Sequence, residues 1–188
     1  MTTTITHAYE ESSVADRVIK DLEGAGFKKD QISVVGPGGE DANAAATGAA
    51  LGGVAGAGAG FLASVGLIAI PGIGPIVAAG VIASMLAGAA SGAVAGGVLG
   101  ALVEYGISEK ESQVYAEIVR RGGTLISLRT DEVDLHKAEA IMQMHGPIDV
   151  EAREKAYRAE GWSTYDPNAP AYTQAECERE RERYRLAH

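Results

Sequence analysis

The stretch NAAATGAALGGVAGAGAGFLASVGLIAIPGIGPIVAAGVIASMLAGAASGAVAGGVLGALV, residues 43–103, carries no charged side chain, and the rest of the chain is arranged around it. It divides at IPGIGP, residues 70–75, where Pro71, Gly72, Gly74 and Pro75 end one helix and permit another. On each side lies an uncharged run of more than 25 residues. At ~1.5 Å per residue each helical arm would reach roughly 40 Å, enough to cross a bilayer core of about 30 Å. The expectation on length alone is a transmembrane helical hairpin.

The finer pattern points to close packing. Gly48, Gly52, Gly56, Gly60 and Ser64 recur every four residues in the first arm; Gly80, Ser84, Gly88, Gly92, Gly96 and Gly100 do the same in the second. That spacing places each set along one helix face. A glycine stripe lets another backbone approach, as small-xxx-small repeats do in apolar surroundings. Antiparallel arms would set Gly48 against Gly100, Gly52 against Gly96, Gly56 against Gly92 and Gly60 against Gly88. Insertion strength is moderate, because most of the first arm is Gly or Ala and only eight of its residues are large and apolar. The hairpin therefore needs partners: lipid, or further copies of the chain.

The flanks are acidic throughout. Residues 1–42 hold eight acids and four bases, residues 104–150 nine and five, and residues 151–188 eight and seven, for a net charge of −9. Without a basic segment, neither nucleic acid nor anionic lipid has an electrostatic claim on the chain. One cysteine, Cys177, excludes an intramolecular disulfide and fits a reducing compartment. The first residues, MTTTITHAYEE, lack the basic and apolar regions of a secretory signal.

Taken in order, Thr3 to Ala8 is a β-branched first strand, and Ser13 with Asp16 starts a helix whose inner face is Val14, Val18, Leu22 and Ala25. Gln31 to Val35 is a second strand, and residues 36–43 lead into the hairpin. After it, Ser108 and Glu111 form a capping box for a helix burying Val114, Tyr115, Ile118 and Val119, which ends at Gly122–Gly123. Thr124 to Arg129 is a third strand, Asp134 caps a helix carrying Leu135, Ala138, Ile141 and Met142, and Ile148 to Val150 is a short fourth strand. The expected fold is α+β: a ferredoxin-like four-stranded sheet from two βαβ-like halves, residues 1–42 and 104–150, with helices on one face. The glycine-zipper hairpin, residues 43–103, interrupts it. A charged, aromatic extension follows over 151–188, ending in a polar helix expected to be solvated or to dock on another subunit.

Several pieces together resemble a known family. The βαβ start, the glycine-zipper insert, GISEKESQVYAEIVRRGGTLISL, HGPIDVEAR and GWSTYDPNAPAYT are similar to the bacterial general stress proteins, the heat-induced or low-temperature-induced stress proteins with a small α+β domain. The resemblance covers residues 1 to about 175. It implies a non-enzymatic, stress-induced protein, cytoplasmic or membrane-associated, and supplies no catalytic residues.

The chemistry-bearing residues agree with an absence of catalysis. Neither G-x-G-x-x-G nor G-x-x-x-x-G-K-[ST] occurs, and GPGG at 36–39 runs into Glu40 and Asp41 rather than a basic phosphate partner. His7, His136, His145 and His188 are scattered without metal-ligand spacing and read as surface histidines. Cys177 reads as an exposed, incidental thiol, and Trp162, Tyr165 and Tyr172 as a loop folded onto a neighbouring surface. No cofactor, metal, nucleic acid or small-molecule substrate is expected. The expected function is a stress protein on the cytoplasmic face of the inner membrane, held by the hairpin and by self-association. The alternative is a soluble cytoplasmic homo-oligomeric scaffold, cage or filament, with the hairpins inside.

Overall fold

The computed structural model describes residues 2–37, 66–70, 74–90 and 97–185. Its strands are β1 (Thr2–Tyr9), β2 (Ile32–Pro37), β3 (Gly66–Ile70), β4 (Gly74–Ala79) and β5 (Thr124–Asp131). Its α-helices are α1 (Ser12–Gly24), α2 (Gly80–Ala90), α3 (Gly97–Glu104), α4 (Glu109–Arg120), α5 (Glu132–Met144), α6 (Val150–Ala159) and α7 (Gln174–Arg185). The class is α+β, but the sheet is not the expected four-stranded one. It has five strands in the order β1-β5-β2-β4-β3, every neighbouring pair antiparallel. The unit β1-α1-β2 survives as a split βαβ with β5 inserted between its strands.

Two of the five strands come from the segment expected to be a helical hairpin. Gly66–Ile70 pairs with Gly74–Ala79, from Gly66↔Ala78 to Ile70↔Gly74. The chain does reverse within IPGIGP, yet the arms beside the reversal are strands. Ile68, Ile70, Ile76 and Val77 are β-branched and favour a pleated surface, while Pro71 and Pro75 remove amides a helix needs. Pro75 lies just beyond the last β2–β4 pair, Pro37↔Ile76, and next to the end of the β3–β4 ladder, opposite Ala69, the kind of strand-end position where proline is tolerated. No helix among the described residues is long and apolar enough to cross a membrane, which removes the transmembrane reading.

The expected fourth strand is also absent. Ile148 donates its amide to the Ala8 carbonyl at 2.7 Å, and Val150 then opens α6, capped by Asp149 accepting from the Ala152 amide at 2.9 Å. Of the expected helix starts, Ser108 does cap α4, accepting from the Glu111 amide at 3.3 Å. By contrast α1 starts after Glu11 and α5 after Asp131.

Helices cover both faces of the sheet rather than one. Period-two alternation sends Ile5, Tyr9, Ile32, Val34, Ile126 and Leu128 to one side, where α1 and α5 bring Val18, Ile19, Leu22, Ala138 and Met142. Ala8, Val35 and Leu125 face the other side, against Ile82 of α2, Val98, Ala101 and Leu102 of α3, and Val114, Ile118 and Val119 of α4. The end of the expected second zipper arm is thus buried in the chain's own core, at zero exposure for Val98, Ala101 and Leu102.

Gly80 shows how the uncharged segment turns from strand to helix. It has φ +77° and sits so close to β2 that a Cβ would lie 2.3 Å from the Ile32 carbonyl oxygen. Ser33 Oγ then accepts from the Val81 amide at 3.1 Å, satisfying one of the free donors of the first turn of α2. Gly80→Ala combines a left-handed backbone with a backbone clash, and is expected to cost about 2–4 kcal/mol, read from the chemical-denaturation midpoint.

Candidate functional site

The densest chemistry among the described residues lies where α4 ends and β5 begins, at Arg120, Arg121, Gly122 and Gly123. Arg121 is buried. Its Nε donates to Glu117 Oε1 at 2.7 Å, and its Nη1 to Glu160 Oε2 at 2.9 Å and Glu180 Oε1 at 3.0 Å. Its guanidinium also lies 3.9 Å from the Tyr157 ring centroid, within cation–π range. The carboxylates come from α4, from the residue following α6, and from α7, so one side chain joins three segments.

Arg120 adds a second set of ties. It donates to Glu117 Oε2 at 2.9 Å and to the Pro170 carbonyl at 2.9 Å, and its own carbonyl accepts from the Tyr172 amide at 3.0 Å. Gly122, at φ +101°, makes room for α7: a Cβ there would lie 2.4 Å from Cys177 Sγ. Farther along, Arg153 bonds to Glu10 and lies 3.5 Å from the Tyr184 ring centroid.

The C-terminal extension is therefore a docked part of this chain. Cys177 is buried, not exposed as expected, and burial pushes its thiol pKa up, the opposite of a reactive thiolate. The polar helix α7 docks one face on its own chain, with Glu180 only 4% exposed, and leaves most of its other residues to solvent. Trp162 and Tyr165 do fold back, joining the core cluster beside Tyr157. His7 and His145 are tethers rather than lone surface groups. His7 Nε2 lies 3.1 Å from both Glu139 oxygens, and His145 Nε2 lies 2.8 Å from Asp21 Oδ2.

The expected helix-packing stripe is not assembled among the described residues. Gly48, Gly52, Gly56, Gly60, Ser64, Gly92 and Gly96 lie outside them, as do Pro71 and Gly72 of the expected turn. Gly74 and Pro75 belong to β4. Gly80 does serve a close approach, but to a strand backbone. Ser84 is exposed and donates to the Val81 carbonyl at 2.7 Å within its own helix; Gly88 and Gly100 lie in α2 and α3.

Two concavities lie among the described residues. One, about 360 Å3, runs between the β1–α1 junction and α7, beside Glu10, Glu178, Arg181 and Tyr184. The other, about 150 Å3, lies beside β1 and is lined by Thr4, Thr6, Ser108, Glu111 and Tyr115. No group of His, Cys, Asp and Glu suited to a metal occurs among the described residues. Comparison of the chain with protein-family models, with curated proteins and with solved structures finds no match.

Sequence reasoning missed Arg121 as a hub. The Glu117/Arg121 spacing of four residues was a visible helical pair, but nothing local marks Glu160 or Glu180 as its further partners. Burial alone would raise the Glu117 pKa; hydrogen bonds from Arg120 and Arg121 outweigh it and hold the carboxyl below its usual range. A depressed pKa contributes stability above the unfolded value of about 4.3, lost as pH falls through the folded one. Glu117→Gln should therefore cost about 3–5 kcal/mol at neutral pH by taking the carboxylate from Arg120 and one of three from the buried Arg121. It should also flatten the acid side of the stability curve below about pH 4, both read by thermal unfolding across pH.

Proposed function

We propose that this chain is a non-enzymatic protein that assembles with copies of itself through the uncharged edge of its sheet. The observation that carries the reading is the position of β3. Among the described residues it pairs with β4 alone, and it ends the sheet with Gly66, Leu67, Ile68, Ala69 and Ile70. Edge strands that must stay unpaired usually carry Lys, Pro or a bulge; β3 has none of these. Its open row of amides and carbonyls is a template for another strand. A second copy of β3, antiparallel to the first, would continue the sheet across a two-fold axis and close the contact.

The polar groups support a structural role. Arg120, Arg121, Arg153, Glu117 and Glu180 are spent on one another, on Glu10 and Glu160, and on holding the C-terminal extension. The role in stress and the cytoplasmic location rest on the resemblance of GISEKESQVYAEIVRRGGTLISL and HGPIDVEAR to the general stress proteins. The reading is a scaffold whose polar surface faces outward and whose uncharged segment supplies the contacts between copies.

Size-exclusion chromatography with light scattering tests this directly. The parent chain is expected to run as an oligomer, and Leu67→Lys as a smaller species with an unchanged melting temperature, because the register puts position 67 on the sheet face away from Val35 and α2, where a lysine on an edge strand blocks pairing rather than folding. A monomeric parent, or a variant of unchanged mass, would overturn the reading. A parent that is monomeric alone but floats with zwitterionic vesicles would put lipid, not a second copy, against this edge.

A further inference from the structure

We propose that the opposite edge of the sheet, β1, is a recognition groove for an extended peptide segment carrying a lysine or arginine. The argument starts from the direction of the backbone groups. The Ala8 carbonyl accepts from the Ile148 amide, and the Thr6 carbonyl from Tyr115 Oη at 2.9 Å. Both donors lie outside the β1–β5 ladder, so the even-numbered residues of β1 point away from β5. The far side of β5 agrees, since the Arg129 carbonyl, opposite Thr4, accepts from Gln31 Nε2 on the β2 side at 3.2 Å.

Ile148 and Tyr115 close only one end of that edge. At Thr2, Thr4 and the Thr6 amide, the outward groups meet no partner among the described residues. That leaves room for a ladder of about three hydrogen bonds, the geometry of β-strand addition.

The second observation is the concavity of about 150 Å3 beside the same residues. Its volume suits a single side chain. It is lined by Thr4 and Thr6 of β1 and, from the cap and first half of α4, by Ser108, Glu111 and Tyr115. An open edge with an adjoining pocket divides the work: main-chain bonds give affinity, and the pocket selects a side chain. The selection follows from charge. Glu111 is the one ionisable carboxylate in the lining, held in place by Ser108 Oγ, and no base lines the pocket. A cation entering beside the threonine and serine hydroxyls finds a counter-charge and acceptors; an acid finds a like charge. The net charge of −9 favours approach of the same partners.

The groove lies at β1, the far edge from β3, so it is independent of the assembly proposed above. The partner is an extended peptide rather than a second copy. Copies of β1 bring no lysine or arginine to the ladder, and both would carry Glu111.

The test is NMR titration of the full chain with the peptides acetyl-Val-Thr-Lys-Thr-Val-amide and acetyl-Val-Thr-Glu-Thr-Val-amide, with amide exchange measured alongside. The lysine peptide is expected to shift and protect the Thr4 and Thr6 amides, and to bind about tenfold more tightly than the glutamate peptide. Glu111→Gln should reduce that preference to below about threefold while keeping the Ser108 cap of α4. Thr4→Pro removes an outward amide but no β1–β5 bond, so it should fold normally and lose the peptide. The proposal is overturned by unmoved Thr4 and Thr6 amides, by equal binding of the two peptides, by an unchanged preference in Glu111→Gln, or by a folded Thr4→Pro that binds as the parent does. Slow exchange at Thr2, Thr4 and Thr6 without peptide would place a second copy there and overturn it equally.

Discussion

A guanidinium taken out of water needs its charge answered from every side, and Arg121 imposes that condition on this fold. Removing a single partner from such a buried cluster is costly, because what remains is an uncompensated charge. Its carboxylates belong to α4, to Glu160 after α6, and to α7, the last of them 59 residues along the chain from Arg121. Satisfying one side chain therefore draws the end of the chain against its middle. Arg183 extends the alternation by bonding to Glu160 and lying 3.5 Å from Glu180. Gly122 is the steric counterpart, since Cys177 occupies the space a side chain would need.

The same economy appears on the sheet. Thr6, Ser127 and Ser33 stand side by side on β1, β5 and β2, and put hydroxyls on a sheet face largely packed with apolar groups. Thr6 and Ser127 bond at 2.9 Å, while Ser33 serves the first amides of α2. A buried hydroxyl with a partner costs little, and here one of them completes a helix that begins directly out of a strand. That join, at Gly80, converts the uncharged run from sheet edge to helical cover. The described parts of the run are divided between two jobs: β3 and β4 extend the sheet, and α2 and α3 shield one of its faces.

Several features of this arrangement were legible in the residues. The faces of α1, α4 and α5 follow from apolar spacing, and β1, β2 and β5 from short runs rich in β-branched residues. The Ser108–Glu111 cap is a local pattern with a local cause. The reversal within IPGIGP was visible as well, because two prolines and two glycines admit little else. What failed was the state of the arms around it. A run of Gly, Ala, Ile and Val that is apolar on all sides has no periodicity to separate strand from helix. The reading therefore fell back on length and glycine spacing, and the transmembrane hairpin came from there.

Sequence by itself determined the elements whose polar and apolar residues alternate with a period, since each such element has one face for water and one for the core. It also determined that an uncharged segment must find cover and that an acidic surface surrounds it. Tertiary structure alone decided how that cover is arranged. The far edge of β2 from β5 was available, so Gly74–Ala79 became a strand with Gly66–Ile70 beside it. Likewise Cys177 reads as an exposed thiol, and nothing local marks Arg121 as buried, until the extension folds against the end of α4. The physical reason is common to both: hydrogen-bonding edges and counter-charges act between residues far apart in the chain, and no local spacing records which of them will meet.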